Sequence, residues 1–406
     1  MNRKIKNIIY FSLVVISFVA LSWTFGFYWM NLRGIGPVIK PPADDISDLL
    51  TNAPGAPINQ TNLPLKLPEG FSISIFAKNL PGARVMEFDQ FGNMWVSQTS
   101  EGKISMLEVS EGRVVKQNVL LSGLSRPHGL AFDPDMKSRL YIAEEGSVSV
   151  LTTYSEGGLS KIIDLPTSGG GHFTRTLGFG SDSKLYVSIG SSCNVCHERD
   201  SRRATIQVMD KDGQNLKEFA KGLRNSVFFT WDPLTSKMWA TENSRDLLGD
   251  DMPPDEINIV QEGKNYGWPT CFGNNIHDND FDENTYIRNP CMEPFEVGSH
   301  IDIQAHSAPL GLSFIPNNSN WPDAYEGDLL VALHGSWNRS EPTGYKIIRI
   351  KLDNNRENQG IEDFITGWLS GTSALGRPVD LKFGPDGALY VSDDKAGVVY
   401  KVDYIK

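Results

Sequence analysis

Phe383-Gly-Pro-Asp-Gly-Ala-Leu-Tyr-Val-Ser392 reads as an aromatic anchor, a tight turn and a short apolar strand. The same phrase occurs five more times upstream. It stands as Phe88-Asp-Gln-Phe-Gly-Asn-Met-Trp-Val-Ser97 and as Phe132-Asp-Pro-Asp-Met-Lys-Ser-Arg-Leu-Tyr-Ile-Ala143. It returns as Phe179-Gly-Ser-Asp-Ser-Lys-Leu-Tyr-Val-Ser188 and as Trp231-Asp-Pro-Leu-Thr-Ser-Lys-Met-Trp-Ala-Thr241. A sixth copy starts at Phe314 and, after a longer turn, ends in Gly327-Asp-Leu-Leu-Val-Ala332. A further strand follows each copy, at 103–109, 148–153, 206–209, 257–260, 346–352 and 398–402. The anchors lie 44, 47, 52, 83 and 69 residues apart. Units of about 40 to 50 residues, each a small sheet that cannot bury its own faces, are the mark of propeller blades. A sandwich would not restart one phrase six times. The sequence predicts an all-β, six-bladed β-propeller over 65–406, with insertions near 245–305 and 335–376.

Composition agrees with that reading. The 406 residues include 38 Gly and 23 Pro, too many turn formers for a long helical bundle. With 38 Lys and Arg against 49 Asp and Glu the net charge is −11, which excludes nucleic acid as a partner because no basic excess is there to displace counterions.

The N-terminus is a separate device. Residues 8–30 carry no charge over 23 positions, and Arg3, Lys4 and Lys6 precede them. A helix of that length rises roughly 35 Å, enough to cross a bilayer core. The charge bias orients it with everything downstream outside the cytoplasm. A cleaved signal peptide ending near Ala20-Leu21-Ser22 is the alternative, and either reading exports the chain. Residues 31–64 hold six prolines and read as an extended linker.

In a propeller the first strand of each blade lines the central channel, so residues just before each anchor surround one mouth. Those positions hold Arg84, Arg126, His128, His172, Arg175, Arg224, Asn225, His306 and Arg377. Five Arg and three His in phase with the repeat, on an acidic protein, point to an anionic or polyhydroxyl ligand.

Five stretches then resemble one family. They are Gly171-His-Phe-Thr-Arg-Thr-Leu-Gly-Phe179, Leu223-Arg-Asn225, Asp255-Glu-Ile-Asn-Ile-Val-Gln-Glu-Gly-Lys-Asn-Tyr-Gly-Trp-Pro269, His334-Gly-Ser-Trp-Asn-Arg339 and Gly376-Arg-Pro-Val-Asp380. They are similar to the glucose/sorbosone dehydrogenases, six-bladed propellers that use pyrroloquinoline quinone and calcium, and most of all to the sorbosone and pyranose dehydrogenase branch. The resemblance covers about 68–404. It implies His172 as the general base for the C1 hydroxyl of a sugar, with hydride passing to the quinone. It implies Arg224 and Asn225 at the quinone carbonyls and Arg377 at a cofactor carboxylate, with His334, Arg339 and Arg126 as further cofactor contacts. Main-chain carbonyls near Ser244 and Arg245 would bind the calcium that polarises the cofactor. Glu256 and the carbonyl of Tyr266 would bind a structural calcium. The acidic run from Glu242 to Glu256 suits a hard cation on chemistry alone. Two departures stand out: Ser226 replaces a usual proline, and Ser244 a usual glycine, which would be strained if that position needs positive φ.

Four cysteines in an exported chain predict two disulfides, and proximity favours Cys193–Cys196 and Cys271–Cys291. Cys193-Asn-Val-Cys196-His197 also has the form of a c-type haem attachment site. The expected protein is a membrane-tethered, extracytoplasmic sugar dehydrogenase that passes electrons to a quinone or a small redox protein. The alternatives are a calcium-dependent lactonase-type hydrolase and a non-catalytic propeller that binds a ligand or partner.

Overall fold

The computed structural model describes residues 17, 21–23 and 57–405, apart from 156, 168–170, 295 and 318. Most of the expected span at 8–30, and 31–56 of the expected linker, lie outside the described residues. Among the described residues no helix is long and apolar enough to cross a membrane.

The repeat phrase builds a blade for a physical reason. Its aspartate accepts hydrogen bonds from backbone N–H groups two to four residues on, which folds the turn between first and second strands. Asp89 takes the N–H groups of Phe91 and Asn93, Asp133 those of Asp135 and Met136, and Asp232 that of Leu234. The aromatic anchor then packs edge-on against an aromatic in the second strand of the preceding blade. Trp95 meets Phe132 at 6.0 Å, Tyr141 meets Phe179 at 5.2 Å and Tyr186 meets Trp231 at 5.5 Å. Trp239 meets Phe314 at 5.5 Å, and Tyr390 meets Phe88 at 5.2 Å where the ring closes. The second strand Leu329–Leu333 has no aromatic, and Trp321 from the preceding loop reaches Phe383 instead. Each such pair contributes about 0.5–1.5 kcal/mol beyond its buried area.

Six blades of four or five strands result among the described residues, beside two small two-stranded sheets. The first complete blade is Ala83–Phe88, Met94–Gln98, Lys103–Ser110 and Arg113–Leu121. The next two blades begin at Leu130–Phe132 and Leu177–Phe179, and the fourth at Phe229–Trp231. The fifth begins at Pro309–Phe314. The last combines Pro378–Phe383, Leu389–Asp393 and Val398–Tyr404 with Phe71–Ala77, so the N-terminal strand closes the ring antiparallel to the C-terminal one. Ile58–Gln60 adds in parallel to Phe71–Ala77. The end of the expected linker is thus part of the sheet, because Asn59 Nδ2 donates to Leu63 O (2.7 Å) and Leu65 O (3.1 Å) and folds 59–65 back.

The first long interval does hold an insertion, between Asp255–Val260 and Ile301–Ile303, containing the hairpin Cys271–Phe272 with Ile276–His277. The second is largely ordinary blade: Lys346–Leu352 and Asn358–Ile365 occupy most of it, leaving loops around 334–345 and 366–377. First strands of neighbouring blades pack together around the channel, Asp380 accepting from Met86 N (2.8 Å), and Thr241 Oγ1 from a second strand donates to Leu310 O of the next blade (2.8 Å).

Candidate active site

The channel opens into a hollow at each end. The larger, about 900 Å³, lies at the mouth lined by Glu87, Trp231, Phe314 and Lys382, where Glu87 pairs with Lys382 and Arg356 with Asp232. The smaller, about 330 Å³, is lined by Arg84, His172, Arg224, Asn225, His306 and His334. The chemistry converges on the smaller one, whose volume is ordinary for a small-molecule site.

His172 sits on the loop entering the third blade. Its Nδ1 is 3.0 Å from Ser191 O and 2.9 Å from Ser191 Oγ. Because that hydroxyl itself donates to Cys193 O (2.6 Å), the network assigns the proton to Nδ1. Nε2 then presents a lone pair toward the pocket, with no hydrogen-bond partner among the described residues. Burial, and next the Arg224 charge, pull the imidazole down to about 3, so it is neutral at physiological pH. Gly190 allows this close packing: a Cβ there would lie 2.7 Å from both His172 Cβ and Asn225 Oδ1. Behind His172, fully buried Arg175 donates to three main-chain carbonyls, of His172, Thr174 and Pro166, at 2.7–2.9 Å. Its charge has no carboxylate in hydrogen-bond contact among the described residues, and that field favours an anion in front of it.

Arg224 is buried, and all five of its N–H donors are engaged. Nε donates to Asn194 O (2.8 Å), Nη1 to Asn243 O and Ser244 O (both 2.9 Å), and Nη2 to Asn194 Oδ1 and Asp246 Oδ2 (both 2.9 Å). Its charge faces the pocket while its hydrogens hold the 243–246 loop. Across the pocket, Asp394 accepts from His334 Nε2 (3.0 Å) and Arg84 Nη1 (2.7 Å). Burial alone would raise Asp394, but His334, Arg84 and Arg377 hold its carboxyl well below the usual range. His306 Nε2 clamps the neighbouring loop through Gly249 O (2.8 Å) and Met252 O (3.1 Å).

Below Arg224 is a void of about 10 Å³, room for a single ion or water, whose wall contains Ser244, Arg245, Glu256 and Tyr266, with Glu242 and Asp278. Burial, followed by the charge of Glu256, pushes Glu242 up to about 8. Burial, with the charge of Asp302, pushes Glu256 up to about 7. Two buried carboxyls held against ionisation around an ion-sized void form a donor set that fits a hard divalent cation. Ser244 does not have positive φ, so the expected strain is absent. Ser226 has its own task, donating to Glu242 Oε2 at 2.6 Å.

Three expected cofactor contacts do not line this pocket. Arg377 lies behind His334, donating to His334 Nδ1 (3.3 Å), Gly335 O (3.3 Å) and Tyr345 OH (3.1 Å). Arg339 is turned onto Asp250 O and Asp251 Oδ1, where it fixes the acidic loop. Arg126 sits outside over the Phe173 ring at 4.8 Å, its guanidinium 3.3 Å from Glu145. In each case a carboxylate or carbonyl from a distant loop captures the arginine. His128 is fully buried in the channel wall, not at the mouth. Both expected disulfides form, and Cys193 and Cys196 being bonded to each other rules out haem attachment there. Sequence reading missed Asn194, Asp394 and Asn338 as site residues. Asn194 carried a signal in its place between two cysteines, and Asn338 in its place within the His334–Arg339 stretch.

The fold and site define a six-bladed propeller whose titratable groups, a neutral histidine and buried arginines, gather at one channel mouth over a carboxylate-lined void. The chain matches the family model described as TrAA12-like over residues 65–404, and it belongs to that family. It is 32% identical over 362 residues to an uncharacterized protein of Borreliella burgdorferi, covering 84% of this chain and 91% of that one. It is 25% identical over 432 residues to the pyrroloquinoline quinone-dependent pyranose dehydrogenase of Coprinopsis cinerea, covering 87% of this chain. This chain spans 56% of that enzyme's length, about half. The solved holo form of the quinone domain of the Coprinopsis enzyme superposes with a TM-score of 0.70 at 21% identity, covering 86% of this chain and 100% of that domain. That likeness carries the fold.

Proposed function

We propose that this protein oxidises an aldose or related sugar at C1, using pyrroloquinoline quinone together with calcium. The observation that carries the reading is a neutral histidine, with its Nε2 lone pair toward the pocket, set among buried guanidinium groups. A tricarboxylate cofactor needs such a cationic wall, and alcohol oxidation needs such a base. When bound, the quinone supplies the two-electron acceptor for the hydride leaving C1. His172 Nε2 accepts the C1 hydroxyl proton, while Nδ1–H stays fixed on Ser191 and holds the ring in register. Arg224, with Asn225 beside it, places positive charge where negative charge develops. Arg84 and His334, both tied to Asp394, hold the opposite wall. Ser244, Glu256 and Glu242 supply oxygens for a cation.

Electrons pass on to an external quinone or small redox protein. The charge-free run at 8–30 and the two disulfides support an extracytoplasmic, membrane-anchored location. A lactonase needs a cage of free carboxylates in the channel. Here Asp246 and Asp255, which line the pocket, are hydrogen-bonded to Arg224 and to the backbone N–H groups of Ser244 and Ala308. The test is sugar-dependent reduction of an artificial electron acceptor after adding quinone and calcium. His172→Ala is expected to abolish turnover while still binding quinone; full activity in that variant would remove the assignment.

A further inference from the structure

The segment 191–196 does more than close a disulfide. It contacts both halves of the site. On one side Ser191 O and Oγ fix His172 Nδ1, and Ser191 Oγ is itself oriented by Cys193 O. On the other side Asn194 uses its backbone and side chain together. Its main-chain carbonyl accepts from Arg224 Nε (2.8 Å) and Trp268 Nε1 (3.2 Å). Its Oδ1 accepts from Arg224 Nη2 (2.9 Å) and Asp246 N (2.7 Å), and its Nδ2 donates to Asp246 O (3.0 Å). Asn194 therefore grips the guanidinium and the loop of its carboxylate partner at once. The Cys193–Cys196 bond closes the ring of residues in which Asn194 sits. Ser191 N also donates to Arg224 O (2.7 Å), tying the segment back to the loop that carries the arginine.

Resting on the dehydrogenase reading for its catalytic consequence, we propose that Asn194 is a positioning residue for Arg224, and that the Cys193–Cys196 disulfide is the clasp that keeps it in place. A small four-residue ring limits the conformations open to Asn194, so its bonds to Arg224 cost little ordering entropy. Opening the ring with a dithiol converts one disulfide to two thiols as the dithiol becomes a cyclic disulfide, with electrons and protons balanced. Asn194 then regains its freedom, and Arg224 loses two of its five acceptors from a fixed direction. The site is built to work with this disulfide formed.

The experiment compares wild-type protein, Asn194→Ala, Asn194→Asp, Cys193→Ser with Cys196→Ser, and dithiothreitol-treated wild type. The first readout is hydrogen exchange of the Asp246 amide in the protein without added cofactor. Exchange is expected to speed at least tenfold in Asn194→Ala, in the double serine variant and after reduction. Asn194→Asp keeps the acceptor for that amide and is expected to restore most of the protection. The second readout is the calorimetric Kd for pyrroloquinoline quinone, expected to weaken at least tenfold in Asn194→Ala, while kcat falls and the sugar KM stays within twofold. Unchanged exchange in both Asn194→Ala and the double serine variant overturns the proposal. So does unchanged Kd and kcat in a variant whose exchange has sped up. If wild type binds no quinone, the dehydrogenase reading fails, and the exchange readout still decides whether Asn194 and its clasp hold Arg224.

Discussion

Replacing Glu242 by Gln isolates the titrating carboxyl buried beneath the site. Glu242 Oε1 accepts from Asn225 N (2.7 Å) and Oε2 from Ser226 Oγ (2.6 Å). A glutamine keeps the first bond through its oxygen. Its amide nitrogen donates to the Ser226 hydroxyl, which turns to accept. Shape and bonding persist, and only the ability to ionise goes. In the folded protein burial, with Glu256 nearby, pushes Glu242 from an ordinary 4.5 to about 8. Between those values the unfolded chain releases the proton and the folded chain keeps it, so stability falls as pH rises. From pH 4.5 to 7 the loss is on the order of 3 kcal/mol. Burial raises Asp255 and Glu256, each to about 7, and they add losses of the same sign. Urea unfolding followed by tryptophan fluorescence, in chelator at pH 5, 6, 7 and 8, reads this slope. Without cation, Glu242→Gln is expected to be more stable than wild type by a few kcal/mol at pH 7.5 and to show a shallower pH dependence. Calcium at 100 times its Kd would return about 2.7 kcal/mol to wild type. It would return much less to Glu242→Gln. Wild-type stability that is flat from pH 5 to 8 in chelator, with Glu242→Gln matching it, would refute the buried-charge argument.

Other consequences follow from the same contacts. Arg224→Lys keeps the charge but replaces a five-donor fork with a point charge that cannot span Asn194, Asn243, Ser244 and Asp246; kcat/KM is expected to fall more than tenfold, about 1.4 kcal/mol or more, in steady-state assays. The His172 imidazole, pulled to about 3, is in its base form throughout pH 5–8 in the free protein, so kcat/KM should show no acid limb near 6.5. A limb centred there would contradict that environment. Phe71, fully buried in the closing strand and edge-on to Trp321 at 4.8 Å, is expected to cost about 3–5 kcal/mol when replaced by alanine, read from urea midpoints, because it seals the ring.

The fold was legible because each repeat carries its own local cause. The turn aspartate and the anchor aromatic do their work within a blade or against the next one, so spacing alone exposes them. Closure was not legible in the same way. Ile58–Gln60 lies in a proline-rich stretch whose composition reads as linker, and its pairing with Phe71–Ala77 depends on Asn59 turning the chain. At the site, His172, Arg224 and Asn225 came from positions fixed by the blade phase, and His334 from the family resemblance. Arg126, Arg339 and Arg377 went elsewhere because each long side chain reaches several ångströms from its backbone, and its partner lies in a loop the repeat does not determine. Ser244 and Ser226 looked like defects against the family pattern. In place, Ser244 N donates to Asp255 Oδ1 (3.0 Å) and Ser226 supports Glu242.

The most direct test of the central claim is calorimetric titration of the protein with pyrroloquinoline quinone, first with calcium present and then with chelator. The account predicts one tight site per chain that weakens sharply when calcium is removed. A folded protein that shows no binding at tens of micromolar quinone with calcium present would contradict it.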